Sequence, residues 1–282
     1  MRVGLVLGSG GARGMAHIGV VDELRSRGHE VVRVVGSSAG ALVGGFLAAG
    51  KLEDFKGFLL GVSKADVVRH LDPMLRASGL LRGRRLMETL RAVLGEPRIE
   101  DCVVPCTVVA SDVVNWRPVE LTSGSLLLAI RASIAIPALF APVMVGGRLL
   151  ADGGLLDPLP VDVLGAAEVD VTVGVSLFGQ LGEPIIERVA ADGRGTADTG
   201  RDELAASGWQ RVPAGFDLVK SGLVALEMME AEIQRSHLVG ASPGVLVEVP
   251  ADACAFFEFD QAARLIELGR GLAATAFDAA GI

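Results

Sequence analysis

Apolar residues follow two rhythms along this chain, short unbroken runs and longer stretches in which they recur at helical spacing. Arg2-Val3-Gly4-Leu5-Val6-Leu7 has the pattern of a buried strand. It runs into Gly8-Ser9-Gly10-Gly11-Ala12-Arg13-Gly14 and then a helix over 14–27 that turns Met15, Ile18, Val21 and Leu24 inward. A second strand, 31–35, gives way to a helix over 38–49. Helices are expected near 51–60, 63–77, 83–94, 124–133 and 160–167, with strands near 102–110, 116–122 and 169–175 and a hairpin at 143–151. Toward the C-terminus, Phe216-Asp217-Leu218-Val219 opens a helix whose apolar stripe, Leu223, Leu226, Met229 and Ile233, is expected to pack on the core. A strand at 244–249 and a final helix with Asp260 as N-cap complete the pattern. Strands alternating with helices predict an α/β fold, a mostly parallel sheet covered on both faces.

Residues 179–215 break the rhythm, being rich in Gly, Ala and both charge signs, and read as a solvated, mobile loop or as a lid within one domain spanning 1–282. Val34 to Gly50 carries no charge and contains Gly40-x-x-x-Gly44, superficially a membrane helix with a dimer face. It is short for a span and starts within a turn, so a buried central helix is expected. Phe256, Phe257 and Phe259 read as core edge.

The charge-free stretch also holds the chemistry. Gly36-Ser37-Ser38-Ala39-Gly40 is a G-x-S-x-G pattern where a strand passes into a helix, the setting of a nucleophile elbow. Small flanking residues permit the sharp bend, and the helix aims its first amides at developing negative charge. The Gly-rich turn at 8–14 has the same strand-to-helix setting. If both strands lie in one parallel sheet, both turns open at its carboxyl edge, and amides of Gly10, Gly11 and Ala12 can face an oxygen of a substrate on Ser38. A dinucleotide fingerprint fails at position 13, where Arg13 stands for the third glycine.

A serine hydroxyl needs a base. His17, His29, His70 and His237 each read as surface or supporting histidines. Asp152 follows Gly146-Gly147-Arg148-Leu149-Leu150-Ala151 and precedes Gly153-Gly154, which presents a carboxylate on exposed backbone with space beside it. Asp157, before Pro158, reads as a turn residue.

Taken in order, Gly8-Ser9-Gly10-Gly11-Ala12-Arg13-Gly14, Gly36-Ser37-Ser38-Ala39-Gly40 and Asp152-Gly153-Gly154 resemble the three blocks of the patatin-like phospholipases. Arg131-Ala132-Ser133-Ile134-Ala135-Ile136-Pro137 with Phe140 and Pro142 is similar to the block before the aspartate in the bacterial, neuropathy-target-esterase-like branch. The resemblance covers residues 1–175 and loosens from about 179. It implies a three-layer α/β/α sandwich and a Ser-Asp dyad that works without histidine. Carried over residue by residue, it implies Ser38 as nucleophile, Asp152 as base, and Gly10, Gly11 and Ala12 as oxyanion donors with Arg13 flanking. The expected activity is hydrolysis of carboxylic esters of lipids, of phospholipase A or lysophospholipase type, with the apolar stretch Ile134 to Val143 as a candidate acyl-pocket wall. Two other readings stay open: a Ser-His-Asp esterase with His237 as base, and a low-turnover scaffold on the same fold.

Composition limits the partners. The net charge of −8 offers nothing to nucleic acid and opposes anionic lipid on average, so any peripheral contact with a membrane must be local and apolar. Half the residues are hydrophobic while aromatics make up only 4%, which suits aliphatic helices packed on parallel strands. Cys102, Cys106 and Cys254 lack the number and spacing of a disulfide framework or zinc site, and neither cofactor nor metal is expected. The first glycines arrive within a strand's length of Met1, so no signal segment is expected. The location that follows is the cytoplasm, with contact at the inner membrane face as an option.

Overall fold

The computed structural model describes residues 1–70, 83–137, 139–165, 168–181 and 218–282. Eight strands form one sheet: β1 (Arg2–Leu7), β2 (Glu30–Ser37), β3 (Cys106–Asp112), β4 (Arg117–Leu121), β5 (Val143–Val145), β6 (Arg148–Ala151), β7 (Val171–Gly179) and β8 (Val245–Pro250). Their order is β5-β6-β3-β2-β1-β7-β8, with β4 on the far edge of β3. The neighbours β3-β2-β1-β7-β8 are parallel, and only the β4, β5 and β6 pairings are antiparallel. The described helices are α1 (Ala16–Ser26), α2 (Ala39–Ala48), α3 (Leu52–Leu60), α4 (Lys64–His70), α5 (Arg84–Leu94), α6 (Leu126–Ser133), α7 (Leu218–Gly240) and α8 (Ala262–Ala280).

Strand periodicity divides the interior. Leu5, Leu7, Val34, Val108, Val173 and Val175 point to a core shared with α1, α2 and α8, while Val6, Val35 and Val109 point to the opposite face with Leu159 and Leu164. These are the two faces of an α/β/α arrangement. Helices α1 and α8 cross at glycines: a Cβ on Gly19 would lie 1.9 Å from the Ile266 carbonyl oxygen, and one on Gly269 2.1 Å from that of Ala16. Backbones this close exclude any side chain at the crossing.

Several elements differ from expectation. The expected helix at 160–167 is a single 3₁₀ turn, Asp162–Leu164, stopped by Gly165 at φ 64°. The strand expected at 102–110 starts only at Cys106, after Pro105, which brings no N–H to a ladder. The first helix opens as a 3₁₀ turn, Gly11–Met15. Asp260 is not an N-cap; it sits inside a 3₁₀ turn, Phe259–Gln261, and α8 starts after it. The second half of the helix expected at 63–77 and nearly all of the loop at 179–215 lie outside the described residues. Val34 to Gly50 comprises the end of β2, the turn at Ser38 and buried α2, and no helix among the described residues is long and apolar enough to cross a membrane.

Candidate active site

Two strands meeting head to head create the site. β2 pairs with Cys106 to Val109 of β3 and runs parallel to it, whereas β6 pairs with Ser111 and Asp112 on the same edge and runs the opposite way. The other edge of that segment is taken by β4. β2 and β6 therefore point at each other along one edge of β3, and the residues that follow them, Ser38 and Asp152, converge where they meet.

Ser38 holds the elbow at φ 52°, ψ −116°, one of two described non-glycine residues with positive φ. Its neighbours must be glycine: a Cβ at Gly36 would lie 2.4 Å from the Gly40 carbonyl oxygen, and one at Gly40 2.0 Å from that of Leu7. Strain of this kind costs about 1–3 kcal/mol and persists where the surroundings over-determine it. One such support is Ser133, at the end of α6, whose Oγ accepts the Ser38 N–H at 2.8 Å and donates to the Val109 carbonyl at 2.6 Å. The sequence reading quoted Ser133 inside a motif and assigned it no part. Ser37 is buried with its Oγ beside Gly153.

Ser38 Oγ donates to Asp152 Oδ2 at 2.6 Å, and Asp152 Oδ1 accepts the Gly154 N–H at 2.8 Å. Burial pushes the Asp152 carboxyl up to about 7, against the opposing pull of those two hydrogen bonds. Among the described side chains no histidine bonds to either residue. His17 is fully buried rather than at the surface, its Nε2 against the Gly8 carbonyl, and burial lowers its pKa to about 4. His237 pairs with Asp157 at 3.6 Å, so Asp157, largely buried and pushed up to about 6 by desolvation, is more than a turn residue.

The Gly-rich turn packs on the elbow, since a Cβ on Gly14 would meet that of Ala39 at 2.6 Å. Gly10 and Gly11 adopt φ of 146° and 58°, which favours glycine. Among the described residues their amides have no hydrogen-bond acceptor, whereas Ala12, expected to be a third donor, spends its N–H on the Phe256 carbonyl at 3.0 Å. Arg13 is buried with its guanidinium engaged by Glu227 and by the Ala251 carbonyl, 5.6 Å from the centre of the Phe178 ring. It anchors the turn to α7 and to the segment after β8.

An apolar cavity of about 140 Å³ opens at Ser38 and Gly11. Its walls come from α2, α3, α4 and α5 and include Leu42, Phe55, Val67 and Leu90. Of the stretch expected to form an acyl wall, Ile134, Ile136 and Phe140 line it, while Val143 lies in β5. Phe256, Phe257 and Phe259 line it as well, a role that the core-edge reading missed because their partners lie far away in sequence.

Residues 5–164 match the family model described as patatin-like phospholipase. An uncharacterised NTE family protein of Mycobacterium tuberculosis is 34% identical over 99% of this chain and 92% of its own length. A lysophospholipase of Yarrowia lipolytica is 31% identical over 62% of this chain and 12% of its own length. Among solved structures, VipD from Legionella pneumophila superposes with a TM-score of 0.50 at 15% identity, covering 99% of this chain and 66% of that one, a likeness of fold.

Proposed function

The chain belongs to the patatin-like phospholipase family and is a lipid ester hydrolase, and from that premise we propose that it cleaves single-chain lipid esters, lysophospholipids first, through a Ser38-Asp152 dyad. The 2.6 Å contact between Ser38 Oγ and Asp152 Oδ2 at the mouth of an apolar cavity carries the proposal. As Oγ attacks the ester carbonyl carbon, its proton passes to Asp152. The amides of Gly10 and Gly11 receive the charge on the carbonyl oxygen, which needs no reorganisation because the turn is already set. Collapse of the tetrahedral species hands the proton to the departing alcohol and leaves the acyl chain on Ser38. A water that gives its proton to Asp152 then releases the fatty acid and restores the dyad.

The cavity supports the acyl side of this reading, since its apolar walls reach Ser38 and suit a hydrocarbon chain. The fungal relative named as a lysophospholipase agrees with that choice.

One soluble nitrophenyl ester and one lysophospholipid assayed with six variants test the proposal. Ser38→Ala and Asp152→Asn should each abolish turnover of both, with losses that do not add in the double variant because the two act as a unit. Ser37→Ala and His237→Ala should keep most of it. Loss in His237→Ala with survival of Asp152→Asn would move the base to a histidine. A Gly11→Val variant with full turnover would remove the Gly-rich turn from the mechanism, against an expected loss of about 10²–10³ in kcat.

A further inference from the structure

Helix α7 packs Leu223 and Leu226 inward against Ile136, Leu139 and Phe140, and farther along it turns a polar stripe to the site. Its apolar Met228 and Met229 are 64% and 57% exposed, while Glu230 and Gln234 are 6% and 4% exposed. Glu227, Glu230, Gln234 and His237 recur three and four residues apart, a single stripe. Two members hold the Gly-rich turn and two hold other segments around the dyad. Glu227 binds Arg13, Glu230 binds Ser9, Gln234 donates to Ser176 within β7, and His237 meets Asp157.

Glu230 is the member closest to the chemistry. Its Oε2 accepts the Ser9 hydroxyl at 2.6 Å, and Ser9 stands beside Gly10 in the Gly-rich turn. The same oxygen would lie 2.7 Å from a Cβ on Gly154, and Gly154 is the residue whose N–H holds Asp152 Oδ1. A second buried carboxyl thus sits across one glycine from the base and one residue from an oxyanion amide. The charged groups facing it are Asp152, Arg13 from the Gly-rich turn, and Glu227 one turn back on α7.

We propose that Glu230 is a positioning residue of the hydrolysis: it holds Ser9 of the Gly-rich turn by a hydrogen bond while packed against Gly154 of the Asp152 turn, and it acts in its protonated form. The inference rests on the Ser38-Asp152 reading. Two carboxyls this near one another share the cost of ionisation, so one ionises well before the other. Ser9 holds one oxygen of Glu230, and a proton on the carboxyl leaves Asp152 as the sole negative charge beside the reacting centre. Asp152 accepts two hydrogen bonds, from Ser38 and Gly154, and Glu230 one, from Ser9, so Asp152 ionises first, and burial and the Asp152 charge push Glu230 up. Ionised, Glu230 would put a second negative charge next to the place where the substrate oxygen becomes an anion. Turnover should therefore rise as Asp152 ionises and fall again as Glu230 does.

The experiment records kcat and KM for a soluble ester from pH 5.5 to 9.5 in the wild type, Glu230→Gln, Glu230→Ala and Ser38→Ala. Gln keeps an acceptor for Ser9 and never ionises. It should hold kcat near neutrality and lose the alkaline fall. Ala removes the tie and should lower kcat about tenfold, less than the 10²–10³ expected for an oxyanion donor itself, with KM changed less than about twofold. An alkaline limb that persists in Glu230→Gln, or an unchanged kcat in Glu230→Ala, overturns the inference. If Glu230→Ala does not fold, the profile of the near-isosteric Gln variant still decides. Activity in Ser38→Ala would instead overturn the dyad reading on which the inference stands.

Discussion

Burial holds the Asp152 carboxyl at about 7 against an ordinary 3.8, and the consequence for stability has a definite sign. Between those values the folded chain keeps a proton that the unfolded chain has released. The stabilising contribution of the protonated form is complete below about pH 4 and lost as pH rises through about 7. Asp152→Asn should therefore be more stable than the wild type at pH 8, by upward of the roughly 1.4 kcal/mol that one pKa unit represents. The two should converge toward pH 4, which urea unfolding at both pH values would check; equal stability at pH 8 would mean that the site is wetter than its burial implies. The same carboxyl predicts turnover that climbs through neutrality, since only the ionised form accepts the serine proton. Ser133 belongs to this scale too. Ser133→Ala leaves the Ser38 amide without its acceptor in a buried elbow and should cost about 1–3 kcal/mol in urea unfolding, together with some kcat.

At the scale of elements, two helix contacts show how different interactions set helix position. The α1–α8 crossing is steric: Gly269→Ala would drive a methyl into the Ala16 carbonyl and force the helices apart. A loss of about 1–3 kcal/mol or more is expected in denaturant unfolding, with little change in KM because the crossing lies away from the cavity walls. Contacts of α7 to the site are mixed: Leu223 and Leu226 pack against Ile136, Leu139 and Phe140 as expected, and the stripe from Glu227 to His237 is polar. Gln234→Leu adds apolar area, yet it removes the donor to the buried Ser176 hydroxyl and should destabilise by about 1 kcal/mol or more. Met229→Gln, on the exposed side, should stay within about 0.5 kcal/mol of the wild type. The reverse ranking would mean that the polar stripe contributes less to docking than the apolar one.

Across the whole molecule, the sheet supplies the proposed dyad on one side and a ring of helices supplies the cavity on the other, so chemistry and substrate length should be separable by substitution. Val67 of α4 lines the cavity and is only partly buried, which leaves a large side chain room to be accommodated. Val67→Trp should fill part of the channel and cut kcat/KM for long-chain nitrophenyl esters about tenfold or more relative to acetate or butyrate, whose turnover should persist. Equal losses across the series would place the acyl chain outside this cavity.

Local chemistry was legible in the sequence wherever neighbouring residues alone impose it. Gly36 and Gly40 around Ser38, the Gly-rich turn and the glycines after Asp152 announce tight backbone, because a side chain at such positions collides with atoms a few residues away or on an adjoining strand. The parallel sheet was legible for a related reason: β-branched runs and helical spacing are local patterns. What tertiary structure alone decided is how distant segments divide the polar partners. Ala12 lost its free amide to the carbonyl of Phe256, Arg13 found Glu227, and the helix that packs Leu223 and Leu226 inward also buries Glu230 and Gln234. No spacing in the chain encodes those pairings. A buried amide, guanidinium or carboxyl takes whichever partner folding brings within hydrogen-bond reach, and leaving it without one costs more than exposing two methionines.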